Sequence, residues 1–422
     1  MRVAHVVTYV SPDGSFGGPV RVALAQAEAL ADRGHDVTVF AAAPRELAGI
    51  RRQKGYTLST FPAVPLAPGK GFAMMSAPRM VSSLAREIAQ FDVAHIHLAR
   101  DLVTIPAAIA IRRAKVPYFL QPHGMIDVSA RLLARPLDAC ATKPLLRGAS
   151  AVLVLTDQEQ HDIEDVESRT IIRRISNGIR VVELPEYEGR ENVVLFLARL
   201  HDRKRPVAFV EMANVVGASF EDVKFILVGP DEGAAAATLA AISASPFKDR
   251  IQWVGPVSPD ETDRWISKAL AYVLPAVGEV FPMTILEALQ AGTPVVATDS
   301  LGIAEGCLKY GAALITDGTV KELARAVDNI LANRSVADSL RRGGLRYLST
   351  ESDGTSQVFL LQPAVAIVEH LHQLGVATSA RSVCNDLDSC HPTTRPANLD
   401  FRLKIHRPPI YPDQSVSNHL LR

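Results

Sequence analysis

The stretch "GEVFPMTILEALQAGTPVVAT" (278–298) follows the apolar run "LAYVLPAV" (270–277), and its reading decides the fold. Gly278 breaks a strand that is apolar on both faces, as a parallel strand covered by helices has to be. The pattern then predicts a helix from about Met283 through Gln290, ended by Gly292, before "TPVVATD" (293–299) starts another buried strand. Strand, helix and strand make an α/β unit. Two carboxylates bracket the helix start inside it: Glu279 in the loop and, after seven intervening residues, Glu287 on the helix.

The unit recurs along the chain. "RVAHVVTYV" (2–10), "HDVTVFAA" (35–42), "FDVAHIHLA" (91–99), "VPYFLQPH" (116–123) and "SAVLVLT" (150–156) read as buried strands ahead of it. "NVVLFLARL" (192–200), "VKFILVGP" (223–230), "IQWVGPV" (251–257) and "AALIT" (312–316) read as its neighbours. Helical patterns separate most of them. The clearest is "VRVALAQAEALADRGH" (20–35), opened by Pro19, where Val20, Leu24, Ala27 and Leu30 recur at helical spacing and Gly34 ends the helix. Periodicity lapses at 176–192, "SNGIRVVELPEYEGREN", into the Asn-Gly, Pro and acidic composition of an interdomain linker. The expected organisation is two doubly wound α/β domains, 1–180 and 190–350, then a closing helix within 351–375 (roughly Phe359 to Leu374). An irregular, Pro-rich tail at 376–422 is expected to be poorly ordered.

Composition narrows the function. A chain of 422 residues exceeds one ordinary core. Lys plus Arg and Asp plus Glu both total 45, so no overall charge points to nucleic acid. Cys140, Cys307, Cys384 and Cys390 form no CxxC pair and no disulfide framework, which fits a reducing cytosol. "VAHVVTYV" runs out before Pro12 and reads as a strand rather than a signal peptide. No run approaches the ~18 apolar residues that span a bilayer, so any membrane contact is peripheral. "RLLARPLDACATKPLLRGA" (131–149) mixes Arg131, Arg135, Lys143 and Arg147 with leucines, as a basic amphipathic surface or an ordinary packed helix with snorkelling cations does.

Ligands of open α/β sheets bind at the carboxyl ends of strands, so candidate residues are sought there. After the first strand, "SPDGSFGGPV" places Gly14, Gly17 and Gly18 before a helix. Its backbone N–H groups suit an anion, and a tight βα turn explains it equally well. The pattern is not GxGxxG and lacks the acidic partner of a dinucleotide site. "FLARLHDRKRP" (196–206) puts Arg199 and Lys204 at a strand end, where fixed cations can hold a diphosphate and neutralise a leaving phosphate. Glu279 and Glu287 can each accept hydrogen bonds from two hydroxyls, and the helix start between them suits a phosphate. Glu287 lies in the apolar "TILEALQAG", where a lone charge needs a partner. His123 ends a strand beside Gly124 and can offer a hydrogen bond into the cleft. His95 and His97 alternate on one strand and are read as structural, for want of a third ligand at metal spacing; Cys390-His391 is an unconvincing metal pair.

These residues resemble the retaining family 4 glycosyltransferases of the GT-B fold, in which two Rossmann-like domains face each other across a cleft. The resemblance rests on "GGPVRVALAQAEALADRGHDVTVF", "PHG" (122–124), "FLARLHDRKRP" and E-x7-E at Glu279 and Glu287, in that order, and covers about residues 1 to 345. It implies transfer of a hexose from a nucleoside diphosphate sugar to a glycan or lipid-linked acceptor with retention at the anomeric carbon. Glu279 would meet hydroxyls of the donor hexose, Glu287 those of the ribose, and Arg199 and Lys204 the diphosphate. Backbone amides of Phe281, Met283 and Thr284 would face the sugar and phosphate, Gly17 and Gly18 would close the cleft from the other domain, and His123 would sit near the transferred sugar. Catalysis would fall to Glu279, His123, Arg199 and Lys204. No metal and no cofactor is implied beyond the sugar nucleotide as co-substrate. The setting implied is polysaccharide or cell-envelope synthesis from a cytosolic donor, in the cytoplasm or at the inner face of the plasma membrane. Pro282 departs from the pattern, standing where many members have glycine and removing a backbone donor, and "DSLGIAE" (299–305) replaces a more usual double glycine with Leu301-Gly302. A sugar-nucleotide 2-epimerase of the same fold and a catalytically silent glycan-binding partner subunit are the alternatives.

Overall fold

Every buried strand predicted above is found, distributed over two sheets. The computed structural model describes residues 1–11, 17–66, 74–129, 134–175 and 189–350, all within one compact unit, Met1–Val376. The expected helix at 359–374, the tail from 376, Gly14 and most of the 176–192 linker lie outside the described residues.

The first half supplies β1 (Arg2–Tyr9), β2 (Asp36–Ala43), β3 (Gly49–Gln53), β4 (Tyr56–Pro62), the two-residue pair β5 (Val64–Pro65) and β6 (Met75–Ser76), β7 (Val93–Ile96), β8 (Tyr118–Leu120), β9 (Ala151–Val154) and β10 (Ile172–Arg174). The second supplies β11 (Glu191–Leu197), β12 (Lys224–Val228), β13 (Ile251–Gly255), β14 (Ala269–Leu274), β15 (Val295–Thr298) and β16 (Ala313–Thr316). The larger sheet has the order β10-β9-β8-β7-β1-β2-β4-β3, parallel except for β3 against β4; the smaller runs β13-β12-β11-β14-β15-β16, all parallel. In each sheet the strand order reverses beside a central strand, at β1/β7 and at β11/β14, and a crevice opens at the carboxyl ends there.

β1 explains why these strands read as continuous apolar runs. Ala4 and Val6 enter one core cluster and Val3 and Val7 the other, all at most 1% exposed, so both faces of the pleat are covered. A third cluster fills the second half around Phe196, Phe209, Phe225 and Tyr272. Val280 and Phe281, from the quoted stretch, pack against the Val3/Val7 cluster of the first half.

The sequence reading missed β3, β4, β10 and the two-residue pair β5 and β6. β3 is an exposed edge strand, "GIRRQ", whose arginines give no apolar signal and discourage edge pairing. The β3–β4 turn uses Lys54 and Gly55, both at positive φ. The first helix spans Gly17–Asp32, two residues ahead of Pro19, leaving the proline in the first turn where its missing N–H costs nothing. In the 131–149 stretch, described from 134, Leu145 and Leu146 are buried in the core and Arg147 pairs with Glu167 at 2.6 Å. These leucines serve packing rather than an outward apolar face.

Candidate active site

The loop after β14 is fixed before its carboxylate is placed. Gly278 turns the chain at φ +63°. The 3-10 turn Asp202–Lys204, just beyond β11, is clamped to this loop: the Val277 N–H donates to the Arg203 carbonyl at 2.8 Å, and the Arg203 guanidinium donates to the Gly278 carbonyl. From the other side the Gly302 N–H donates to the Glu279 carbonyl at 2.8 Å. This assigns Leu301-Gly302 a role, because a Cβ at 302 would lie 2.1 Å from the Val280 carbonyl oxygen. The result is direct contact between the Lys204 ammonium and the Glu279 carboxylate, both largely buried. Burial first, then Arg199 and Arg203, push the lysine down to about 7, while Glu232 works in the opposite direction.

Glu287 lies one helix away on Met283–Gln290, and its partner comes from the other half of the chain. Arg21, on the helix that Gly17 and Gly18 open, reaches its Oε1 at 2.7 Å. Its Oε2 is buried without a hydrogen-bond partner among the described residues. Burial raises the Glu287 carboxyl to about 7, and Arg21 only partly opposes that. Thr284, in the first turn, lies with its hydroxyl 2.7 Å from that of Tyr272, which donates to the Leu197 carbonyl at 3.2 Å. Pro282 sits at the N-cap, so the first free amides of the helix belong to Met283 and Thr284. At Gly18 a Cβ would meet nothing within 4 Å among the described residues.

The first half brings His123 and Gly124 to the same loop. His123 adopts φ +54°, unusual for a non-glycine residue, and Gly124 follows at +72°. The turn is held by buried Glu159, which accepts from the Gly124 N–H and the Leu155 N–H, both at 2.7 Å. A Cβ on Gly124 would lie 2.2 Å from Val280 Cγ2, so the turn abuts the Glu279 loop. His123 Nε2 lies 2.8 Å from His97 Nδ1, with the rings stacked, and burial pushes His123 down to about 3.

The structure thus joins Lys204 to Glu279, sets the Gly17–Gly18 helix against Glu287, and docks the His123–Gly124 turn on Val280. Arg199 is placed differently: its Nη1 spans both oxygens of Glu232 at 2.5 and 2.7 Å. Sequence reading missed Arg21, Glu159 and Glu232. Arg21 stood in the quoted glycine motif without a visible partner, and the two carboxylates lie in segments whose neighbours are distant in sequence.

A model described as "Glycosyl transferase 4-like domain" matches residues 17–178, and one described as "Glycosyl transferases group 1" matches 191–333. Among curated relatives, a 2-deoxystreptamine N-acetyl-D-glucosaminyltransferase of Niallia circulans is 30% identical over 152 residues, 36% of this chain and 39% of that protein. A phosphatidyl-myo-inositol mannosyltransferase of Mycobacterium leprae is 26% identical over 358 residues, 82% of this chain and 89% of that one. Among solved structures, sucrose-phosphate synthase from Thermosynechococcus elongatus superposes with a TM-score of 0.69 at 20% identity, over 89% of this chain and 100% of the other. Anabaena HepE, solved in complex with UDP-glucose, gives 0.67 at 17%, over 87% and 99%. The chain belongs to the group 1, family 4-like glycosyltransferases and has their GT-B fold.

Proposed function

We propose that this glycosyltransferase moves a hexose from a nucleoside diphosphate sugar to a glycan or lipid-linked acceptor, with retention at the anomeric carbon and without a metal at the donor. The observation that carries this reading is the Lys204–Glu279 contact at the carboxyl ends of β11 and β14, beside the head of the Met283–Gln290 helix. A cation, a carboxylate and a helix start lie side by side there, matching an anionic leaving group and a hydroxylated sugar joined in one molecule. In this reading Lys204 and Arg199 hold the diphosphate, released from Glu279 and Glu232 as it arrives. The amides of Phe281, Met283 and Thr284 face the phosphate and sugar, and Glu279 takes hexose hydroxyls. Glu287 exchanges Arg21 for the ribose hydroxyls, and Gly17 and Gly18 close over the donor. His123 stays neutral and donates or accepts a hydrogen bond at the transferred sugar; Glu279 positions rather than attacks. The synthesis served is that of a cell-surface or secreted glycan, from a cytosolic donor, with peripheral contact at the inner membrane face. Among the described residues no helix is long and apolar enough to cross a membrane.

A thermal-shift panel of UDP-, GDP- and ADP-sugars tests the donor class, since a ligand bound only by the native state raises its melting temperature. One nucleotide series is expected to stabilise the protein, and turnover with that donor is expected to vanish in Glu279→Ala and Lys204→Ala while both remain folded. Full activity in both variants refutes the site.

A further inference from the structure

Beneath the cleft, on the face of the larger sheet that the Gly17–Asp32 helix covers, lies a group of imidazoles to which the donor reading gives no task. His5 on β1 pairs in register with His95 on β7, and His97 follows two positions on, so all three side chains leave the sheet on one face. His5 and His95 are fully buried and His97 is 1% exposed. Their rings lie 4.6 to 5.7 Å apart between centroids. Among the described residues, both nitrogens of His5 and Nε2 of His97 have no hydrogen-bond partner, and the one side-chain hydrogen bond to His95 comes from Gln121. Buried polar atoms are rarely left unpaired, so several in one place call for an occupant that pairs them together. One nitrogen from each ring falls within 4.8 Å of the others. The sequence reading set His95 and His97 aside for want of a third ligand; the neighbouring strand provides it.

We propose that His5, His95 and His97 bind a divalent transition metal of the zinc type, as a three-imidazole site separate from the sugar-nucleotide cleft. The donor set decides the class: imidazoles suit zinc, nickel, copper or iron, whereas magnesium and calcium require oxygen ligands. Metal–nitrogen bonds of about 2.0–2.1 Å in a tetrahedral arrangement put ligand atoms about 3.3 Å apart, so the rings close on the ion by about an ångström. Three protein ligands leave a fourth position for water. The site also has an orienting partner of the kind such sites use. With Nε2 of His97 on the metal, its proton stays on Nδ1 and is directed at His123 Nε2, 2.8 Å away. His123 then keeps its own proton on Nδ1. The metal thereby fixes the tautomer of the histidine at the cleft without touching the donor.

The test uses untagged full-length protein, stripped with a chelator and titrated with Zn(II) and, separately, Co(II). One ion per chain is expected, with the visible d–d bands of low-coordinate Co(II) and, by X-ray absorption on the wild type, a first shell of imidazole nitrogens at about 2.0–2.1 Å. His95→Gln and His5→Gln are expected to weaken binding at least tenfold, whereas Cys390→Ala/His391→Ala in the tail leaves it unchanged. Substoichiometric binding, an oxygen or sulfur first shell, or an ion lost with the tail pair and retained in His95→Gln would overturn the proposal, in favour of water in the same space or of a different site. The absorption measurement on wild type decides the matter even if a histidine variant fails to fold.

Discussion

Glu287→Gln offers a quantitative test of the cross-cleft ion pair. The carboxyl moves from its ordinary 4.5 to about 7 in the fold, mainly through burial. At roughly 1.4 kcal/mol per tenfold change in proton affinity, that is about 3 kcal/mol. The sign follows from where the proton sits. Below pH 4.5 both folded and unfolded chains hold it; between 4.5 and 7 the folded chain keeps it and the unfolded chain loses it. The stabilisation is therefore complete in acid and is lost as the pH rises through 7. Glutamine has the same shape, can still accept from Arg21 and does not titrate. The stability difference, variant minus wild type, should thus shift in the variant's favour by about 2 to 3 kcal/mol between pH 5 and pH 8. Taking a difference cancels the titration of every other group. Urea unfolding of both proteins at half-unit pH steps measures it, and a difference that stays flat across this range refutes the account of Glu287.

Three further outcomes are expected. Lys204→Met should lower kcat/KM by about 10²–10³-fold, as loss of a charge-stabilising group does, with an unchanged circular dichroism spectrum. Gly302→Ala should cost about 1–3 kcal/mol and lower activity at saturating donor as well, because the new Cβ would push on the Val280 carbonyl behind Glu279; urea unfolding and steady-state assays read the two effects. Pro282→Gly should tighten the matching sugar nucleotide about fivefold by calorimetry, the gain of one amide donor to an anion being partly offset by backbone freedom.

Where burial is two-sided the sequence was legible, because a strand such as β1 is apolar at most positions on both faces. The quoted stretch was legible for a second reason: Gly278 and Gly292 both adopt positive φ, where the strand was expected to break and the helix to stop. β3 escaped because an exposed edge strand has no apolar pattern to show. Among the candidate residues, Lys204 and Glu279 were singled out because strand ends mark the crevice, and the structure puts them in contact. The partner of Glu287 was not legible: Arg21 stands far from it in sequence, and no periodicity announces which carboxylate a guanidinium will meet. His5 was hidden for the same reason, since strand register, which sequence alone leaves open, brings it beside His95.

The pairing of charges has a consequence for selectivity. Lys204 with Glu279, Arg21 with Glu287 and Arg199 with Glu232 form three neutral couples around the cleft. An anion that captures Lys204 strands Glu279, and a neutral sugar that captures Glu279 strands Lys204; either alone leaves a largely buried charge without a counterpart. A molecule carrying both phosphate and hydroxyl groups relieves both members at once. Under the proposed donor reading, the cleft would act as a coincidence detector that engages phosphate and sugar only when they arrive covalently joined.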